Sequence, residues 1–376
     1  MKNTEDLKEI ARLFLKLGII GFGGPAAHIS MMQEEVVTKR KWLTQQHFLD
    51  LIGATNLIPG PNSTEMAIHI GREKAGWKGL LIAGICFIFP AVFITGIFAW
   101  LYKEYGLLPE VQPFIYGIKP AIIAVILGAI FPLAKKSVKS VKLAILGIIV
   151  LVGLLLQYNE IFLLFGTGIL AVLIFFIQNK NSEGLKNLIP VISLQHSGND
   201  ILSAANIKLF LIFLKVGAIL YGSGYVLFAF LDAELVSEGL ISRKQLIDAI
   251  AVGQFTPGPV FSSVTFIGYQ INGFTGAVVS TIGIFLPSFL FVALLNPLVK
   301  KMRNSKIFSI FLDAVNVASV AIIIAVCIHM GMDTITDWRT SLIAVVCIVL
   351  SFGYKKINSA LIVLAGSGMG YLLTFL

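Results

Sequence analysis

The chain has 376 residues, of which 57% are apolar and 13% charged, with a mean hydropathy of +0.88. A soluble domain needs a polar surface, so this composition excludes one and makes the bilayer the solvent. The net charge of +9 speaks for topology rather than nucleic acid, because in a membrane protein the location of Lys and Arg matters more than their sum.

The N-terminal stretch mixes Glu5, Asp6, Lys8, Glu9 and Arg12 and lacks the basic start, apolar core and small-residue cleavage site of a signal peptide. Runs long enough to cross about 30 Å of hydrocarbon follow, at Trp77 to Tyr102, Phe114 to Leu133, Val141 to Gln157 and Ile161 to Gln178. After a polar break the second set runs Leu209 to Leu231, Phe274 to Val299, Ile307 to Met330, Ser341 to Phe352 and Ile357 to Leu376. Cys86, Cys327 and Cys347 stand singly in apolar stretches, which offers neither a metal pair nor a disulfide framework and marks them as packing residues.

The two sets are copies. Phe14-Leu15-Lys16-Leu17-Gly18 aligns with Phe213-Leu214-Lys215-Val216-Gly217, Glu35 with Glu234, Asp50 with Asp248, Pro59-Gly60-Pro61 with Pro257-Gly258-Pro259, and Pro90 with Pro287. An internal duplication predicts a first transmembrane repeat over 1–178, a polar linker over 179–206 and a second repeat over 207–376.

Basic loops stay on the cytoplasmic side. The connection Gly71 to Lys78 carries Arg72, Lys74 and Lys78, whereas its counterpart Gly268 to Thr275 carries no charge. Lys135, Lys136, Lys139 and Lys142 mark an inner loop of the first half, and Lys300, Lys301, Arg303, Lys306, Lys355 and Lys356 mark inner loops of the second. The halves then insert in opposite orientation, which demands an odd number of crossings in each. The segments Phe48 to Ile70 and Leu246 to Ile267, each broken by Pro-Gly-Pro, are expected to enter the membrane and return. The predicted fold is an all-α polytopic membrane protein built as an inverted-topology repeat. Each half has about five crossings plus one broken or re-entrant segment, and both termini lie outside.

Non-helical backbone at membrane depth survives only where protein buries it or water lines it, so the paired breaks predict a central cavity. A short helix starts after each, at Asn62-Ser63-Thr64 and at Val260-Phe261-Ser262-Ser263, and its free N–H groups and hydroxyls favour an anion. A single Pro-Gly-Pro reads equally well as a kink; two matched copies favour the cavity. Lys16 and Lys215 lie within apolar stretches, where a cation costs about 2.5 to 3.5 kcal/mol. They are expected at the site, with snorkelling to the interface as the alternative. Two ammonium groups and two half-charges of helix ends sum to about +3, enough for a dianion.

Asn56 and Gln254 precede the breaks and either donate to a bound oxygen or satisfy freed backbone groups. Gly21-Phe22-Gly23-Gly24-Pro25 and Tyr221-Gly222-Ser223-Gly224 end the first helix of each half, by close packing or a backbone bend. They lack the context of a nucleotide fingerprint, so neither a nucleotide cofactor nor an intrinsic ATP-driven pump is expected. His28, Glu65 and His69 have no counterparts in the second half. Glu65 is the candidate for proton coupling, or else an acid that favours its helix start. Lys119 and its counterpart Asn316 are weaker candidates to line the same cavity.

At these motifs the sequence resembles the chromate ion transporter family. Phe22-Gly23-Gly24-Pro25 with His28, and Pro59-Gly60-Pro61-Asn62, are similar to its two signatures; Tyr221-Gly222-Ser223-Gly224 and Pro257-Gly258-Pro259 repeat the pattern over essentially the whole chain. The resemblance implies a two-domain member that exports chromate, with sulfate as a related dianion. The departures are Asn56, where that pattern has glutamine, and the degenerate glycine motif of the second half. The expected function is secondary export of an oxyanion by alternating access, in a bacterial-type inner membrane, without cofactor or metal. The expected binding residues are Lys16, Gly23, Gly24, Pro25, His28, Asn56, Pro59, Gly60, Pro61, Asn62, Ser63 and Thr64 in the first half. In the second they are Lys215, Gly222, Ser223, Gln254, Pro257, Gly258, Pro259, Ser262 and Ser263. A homodimer is left open. The competing readings are a gated anion channel and a membrane-embedded enzyme acting on a phosphate-bearing substrate, the latter short of a paired carboxylate or an evident nucleophile.

Overall fold

A computed structural model of the chain describes residues 2–22, 24–106, 108, 110–178, 204–221, 224, 226–303, 305–353, 357 and 359–375. All regular structure among them is helical, as a backbone without water requires. The first half holds α1 (Lys2–Ile20), α2 (Gly24–Gln33), α3 (Gln45–Thr55), α4 (Asn62–Tyr105), α5 (Gln112–Ser137), α6 (Val141–Leu155) and α7 (Glu160–Gln178). The second holds α8 (Ala204–Ile219), α9 (Val226–Leu231), α10 (Arg243–Phe255), α11 (Ser263–Arg303), α12 (Lys306–Thr334), α13 (Trp338–Gly353) and α14 (Ser359–Leu373). Most of the expected linker, 179–206, lies outside the described residues, with 204–206 opening α8.

Local chemistry sets the helix starts. The Thr44 hydroxyl accepts from the His47 amide at the head of α3, and Ser242 and Gln245 form a reciprocal capping box at the head of α10. The two longest helices are each two arms joined by a bend. In α4 it falls at Ala75 and Gly76, and in α11 at Asn272 and Gly273, with the glycines at φ +60 and +58; only glycine takes such values without strain.

His47 at the start of α3 lies 3.4 Å from Glu73 at the end of the first arm of α4, so the segment around Pro59-Gly60-Pro61 returns to the side it left. The chain before it does the same. Asp6 pairs with Lys74 at 2.9 Å and Glu9 with Arg40 at 3.4 Å, so α1 starts on the side carrying Arg40 and Lys74, and α2 brings the chain back there. The first helix therefore does not cross, and the N-terminal end lies on the basic face, not opposite it as expected. The apolar run Leu209 to Leu231 is likewise not one helix but α8 and α9 separated by a break. The reason is shared: glycines near the middle interrupt the helix, Gly24 at φ +78 among them, and charge pairs tie both ends to one face. Five helices among the described residues are long and apolar enough to cross a membrane, and three shorter apolar ones, Val141–Leu155, Trp338–Gly353 and Ser359–Leu373, run beside them.

The repeats pack by exchange. α1 lies against α4 and α8 against α11, each within its own half, whereas α5 packs on α13 and α14, and α12 on α6 and α7. α4 and α11 pass head to tail: Arg72 donates to the carbonyl of Ala293 at 2.8 Å near one end, and Gln270 to that of Ala99 at 2.8 Å near the other. Equivalent helices thus run in opposite directions. Close approach uses small residues, as at Gly117 of α5, where a Cβ would strike the Gly366 backbone of α14.

Candidate functional site

A cavity of about 730 Å³ lies between the halves, within the size range of small-molecule sites. Gly24, Pro25 and His28 from α2 line it, with Asn56, Gly60, Pro61, Asn62 and Ser63 from the first break and Pro259 from the second. Lys136, Ser137 and Lys139 at the end of α5 and Ser309, Asp313, Asn316 and Ser319 of α12 complete its polar wall. Lys136 and Lys139 put its mouth on the basic face, where Lys139 pairs with Asp313 at 2.6 Å.

The breaks interlock. The amide of Gly60 donates to the carbonyl of Leu220 at 2.8 Å, and that of Gly258 to the carbonyl of Gly21 at 2.7 Å. Each break therefore satisfies a carbonyl freed at the end of the first helix of the other half. Gly60 and Gly258 sit at φ +135 and +87, and a Cβ on Gly60 would run into Glu65 and Ser288. Pro59, Pro257 and Gly258 are buried in the breaks and do not line the cavity.

Beyond the breaks the halves differ. In the first turn of α4 the amides of Thr64 and Glu65 bond to the carbonyl of Pro61, while no backbone carbonyl among the described residues takes those of Asn62 and Ser63. In the second half Val260–Ser262 winds into a 3-10 turn that engages the amides of Ser262 and Ser263. The helix end with unpaired first amides is thus at Asn62 and Ser63 among the described residues, and Ser262 and Ser263 are buried away from the cavity.

Lys16 and Lys215 do not reach it. Their side chains are 54% and 50% exposed, and each pairs with the acid nineteen residues on, Glu35 at 3.1 Å and Glu234 at 2.6 Å. Burial alone would raise the Glu35 carboxyl, but hydrogen bonds and charge from Lys16 and Arg40 outweigh it and hold Glu35 at about 2. The duplicated lysines are explained by duplicated ion pairs, and the expected charge of about +3 loses its two ammonium groups.

His28 Nε2 lies 2.9 Å from the carbonyl of Gly21 and its ring stands edge-on to Phe87, which holds the turn between α1 and α2. The amide of Asn56 donates to the carbonyl of Ile52, and that of Asn62 to Asn56 Oδ1, both at 2.8 Å. Of the two roles open to Asn56, satisfaction of freed backbone is the one realised, with its carbonyl orienting Asn62. Gln254, Thr64 and Glu65 are buried behind the lining. Among the described residues the Thr64 hydroxyl, both oxygens of Glu65, both nitrogens of His69 and the hydroxyl of Ser288 have no hydrogen-bond partner. Gly23, Gly222 and Ser223 lie outside the described residues.

Sequence reasoning took Lys136 and Lys139 for topology signals only. Their clustering where an apolar run ends, Lys136 in the last turn of α5 and Lys139 just beyond it, was the available clue to a shared lining. Lys119 is also elsewhere, in contact with Asp248, whereas its counterpart Asn316 does line the cavity.

Two homologous helical repeats, each broken beside a one-sided cavity of mixed polar and apolar lining, define a polytopic membrane transport protein. The family described as Chromate transporter matches residues 8–173 and again 207–371. The chain is 32% identical to a chromate transport protein of Cupriavidus metallidurans, over 98% of this chain and 93% of the relative. It is 30% identical to a probable chromate transport protein of Synechococcus elongatus, over 97% and 95%, and 26% identical to a chromate transport protein of Pseudomonas aeruginosa, over 96% and 90%. No solved structure matches. The chain belongs to the chromate transporter family.

Proposed function

We propose that the protein exports a tetrahedral oxyanion, chromate first and sulfate as its analogue, by alternating access across a bacterial-type inner membrane. The observation that carries this reading is the one-sided cavity between the two Pro-Gly-Pro breaks, whose mouth holds Lys136 and Lys139. The basic face is the cytoplasmic one, so the cavity is open inward. The anion enters past the lysines and takes hydrogen bonds from the free amides of Asn62 and Ser63, the Ser63 hydroxyl and the Asn62 amide. Lys136 and the end of α4 supply about +1.5, which attracts a dianion without trapping it.

Repeats spanning 1–178 and 207–376 rock against one another about the antiparallel pair α4 and α11 and move the opening to the other face. That face, acidic at Asp232, Glu234 and Glu238, holds a second cavity of about 400 Å³ bordered by Glu160 and the ion pair of Asp232 with Arg243, a lining with no excess positive charge to hold the anion. An inside-negative potential adds about 2.3 kcal/mol per charge for each 100 mV. Glu65, enclosed against Gly60 and Ser288 with no hydrogen-bond partner among the described residues, carries the coupled proton. Gly60, Gly258, Pro59, Pro61, Pro257 and Pro259 shape the site, and His28 pins its wall.

The test is uptake of radiolabelled chromate into everted proteoliposomes, with sulfate as competitor and an imposed potential of either sign. Saturable uptake inhibited by sulfate is expected. Flux that follows voltage without saturating would replace the carrier with a gated channel, and no protein-dependent flux would remove chromate as the substrate.

A further inference from the structure

On the side away from the open cavity, three elements of the two halves meet at one buried carboxylate. Asp248 of α10 accepts a hydrogen bond from Tyr102 of α4 at 2.6 Å through Oδ2, and its Oδ1 lies 3.6 Å from Nζ of Lys119 on α5. The side chains of Lys119 and Asp248 are 16% and 4% exposed, and Oδ1 accepts no hydrogen bond within normal distance among the described residues. A buried ion pair offsets its desolvation only when its geometry is good and its lone pairs are satisfied. This one is neither close nor complete, so stability alone does not account for it.

The repeat relation suggests what does. Lys119 aligns with Asn316, and Asn316 lines the cavity that is open. Alternating access in repeats of opposite direction exchanges their conformations, which brings position 119 to the opposite-facing cavity as position 316 now faces this one. Thr95 lies at the same seam, its hydroxyl 3.3 Å from that of Ser262. We propose that Lys119 is the cation that binds the oxyanion in the outward-open state, and that Asp248 occupies its ammonium group while that side is shut. Anion and Asp248 then compete for one charge, which couples occupancy to opening. The binding part rests on the proposed function; the gate part does not.

The test uses full-length protein in proteoliposomes with Cys86, Cys327 and Cys347 replaced by alanine and a single Thr95→Cys reporter, labelled from the acidic face by an impermeant maleimide. Asp248→Asn is expected to raise the labelling rate about tenfold, and sulfate to slow it again. Adding Lys119→Met should abolish that protection, while Lys119→Arg keeps it. Unchanged labelling in Asp248→Asn overturns the gate, and equal protection with methionine at 119 overturns the role of Lys119. Each variant is first required to elute as a single species, and Lys119→Gln, which also removes the charge, serves where methionine fails to fold. A Ser309→Cys reporter in the open cavity separates the two readings: if sulfate does not protect it from the basic face, the oxyanion reading fails, while the response to Asp248→Asn still decides the gate.

Discussion

The amide of Gly60 donates to the carbonyl of Leu220 although the two residues belong to different halves, and Gly258 repeats the bond with Gly21. Each break is a strut of the other repeat, so motion of one half must be felt at the first helix of its partner. A side chain at either glycine opposes both the backbone and the neighbours, because Gly258 at φ +87 also faces Ala91 at 2.9 Å from the position of a Cβ. Gly60→Ala and Gly258→Ala are expected to cost about 1 to 3 kcal/mol each, read as a lower melting temperature in detergent, with transport lost more completely in Gly60→Ala.

Lys136→Ala is expected to weaken chromate uptake mainly through apparent affinity, about tenfold at low salt and less at high salt, since the charge sits at a solvated mouth. Lys139→Ala should do less, because Asp313 already neutralises it at 2.6 Å. Initial rates across an ionic-strength series check both. Equal effects would argue against Lys136 as the entry charge.

Lys16→Met and Lys215→Met are expected to retain near-normal transport, because both side chains are half exposed and committed to Glu35 and Glu234. Glu35→Gln should be the more harmful change, since it removes the carboxylate that Lys16 and Arg40 share. Abolished binding in both lysine variants would restore them to the site.

The same acid makes a pH prediction. Its folded value of about 2 lies below the ordinary carboxyl value of 4.5, so its contribution to stability is full above the unfolded value and is lost as pH falls through the folded one. Melting temperature should fall between pH 4.5 and about 2 in the wild type, with that component missing from Glu35→Gln.

Glu65→Gln is expected to leave equilibrium binding of chromate intact while flattening the dependence of transport on a proton gradient, because the side chain lies behind the cavity wall rather than in it. Counterflow exchange against net uptake under an imposed pH difference separates the two. Loss of binding with normal proton dependence would assign Glu65 to the site instead.

By itself the sequence determined the solvent, the duplication and the breaks. Composition set the bilayer, and matched Pro-Gly-Pro and glycine motifs set where the helices stop, because backbone geometry at proline and glycine is local. Only tertiary structure decided what the polar side chains do. Lys16 and Lys215 looked like site residues because a lysine in an apolar run is costly alone, and the acids that relieve it, Glu35 and Glu234, are nineteen residues away. Lys136 looked like a topology charge, and it became a wall of the cavity through the packing of α5 against α12. Whether the first helix crosses was likewise set by ion pairs such as Asp6 with Lys74, since a helix of that length can either span or turn back and only its partners choose.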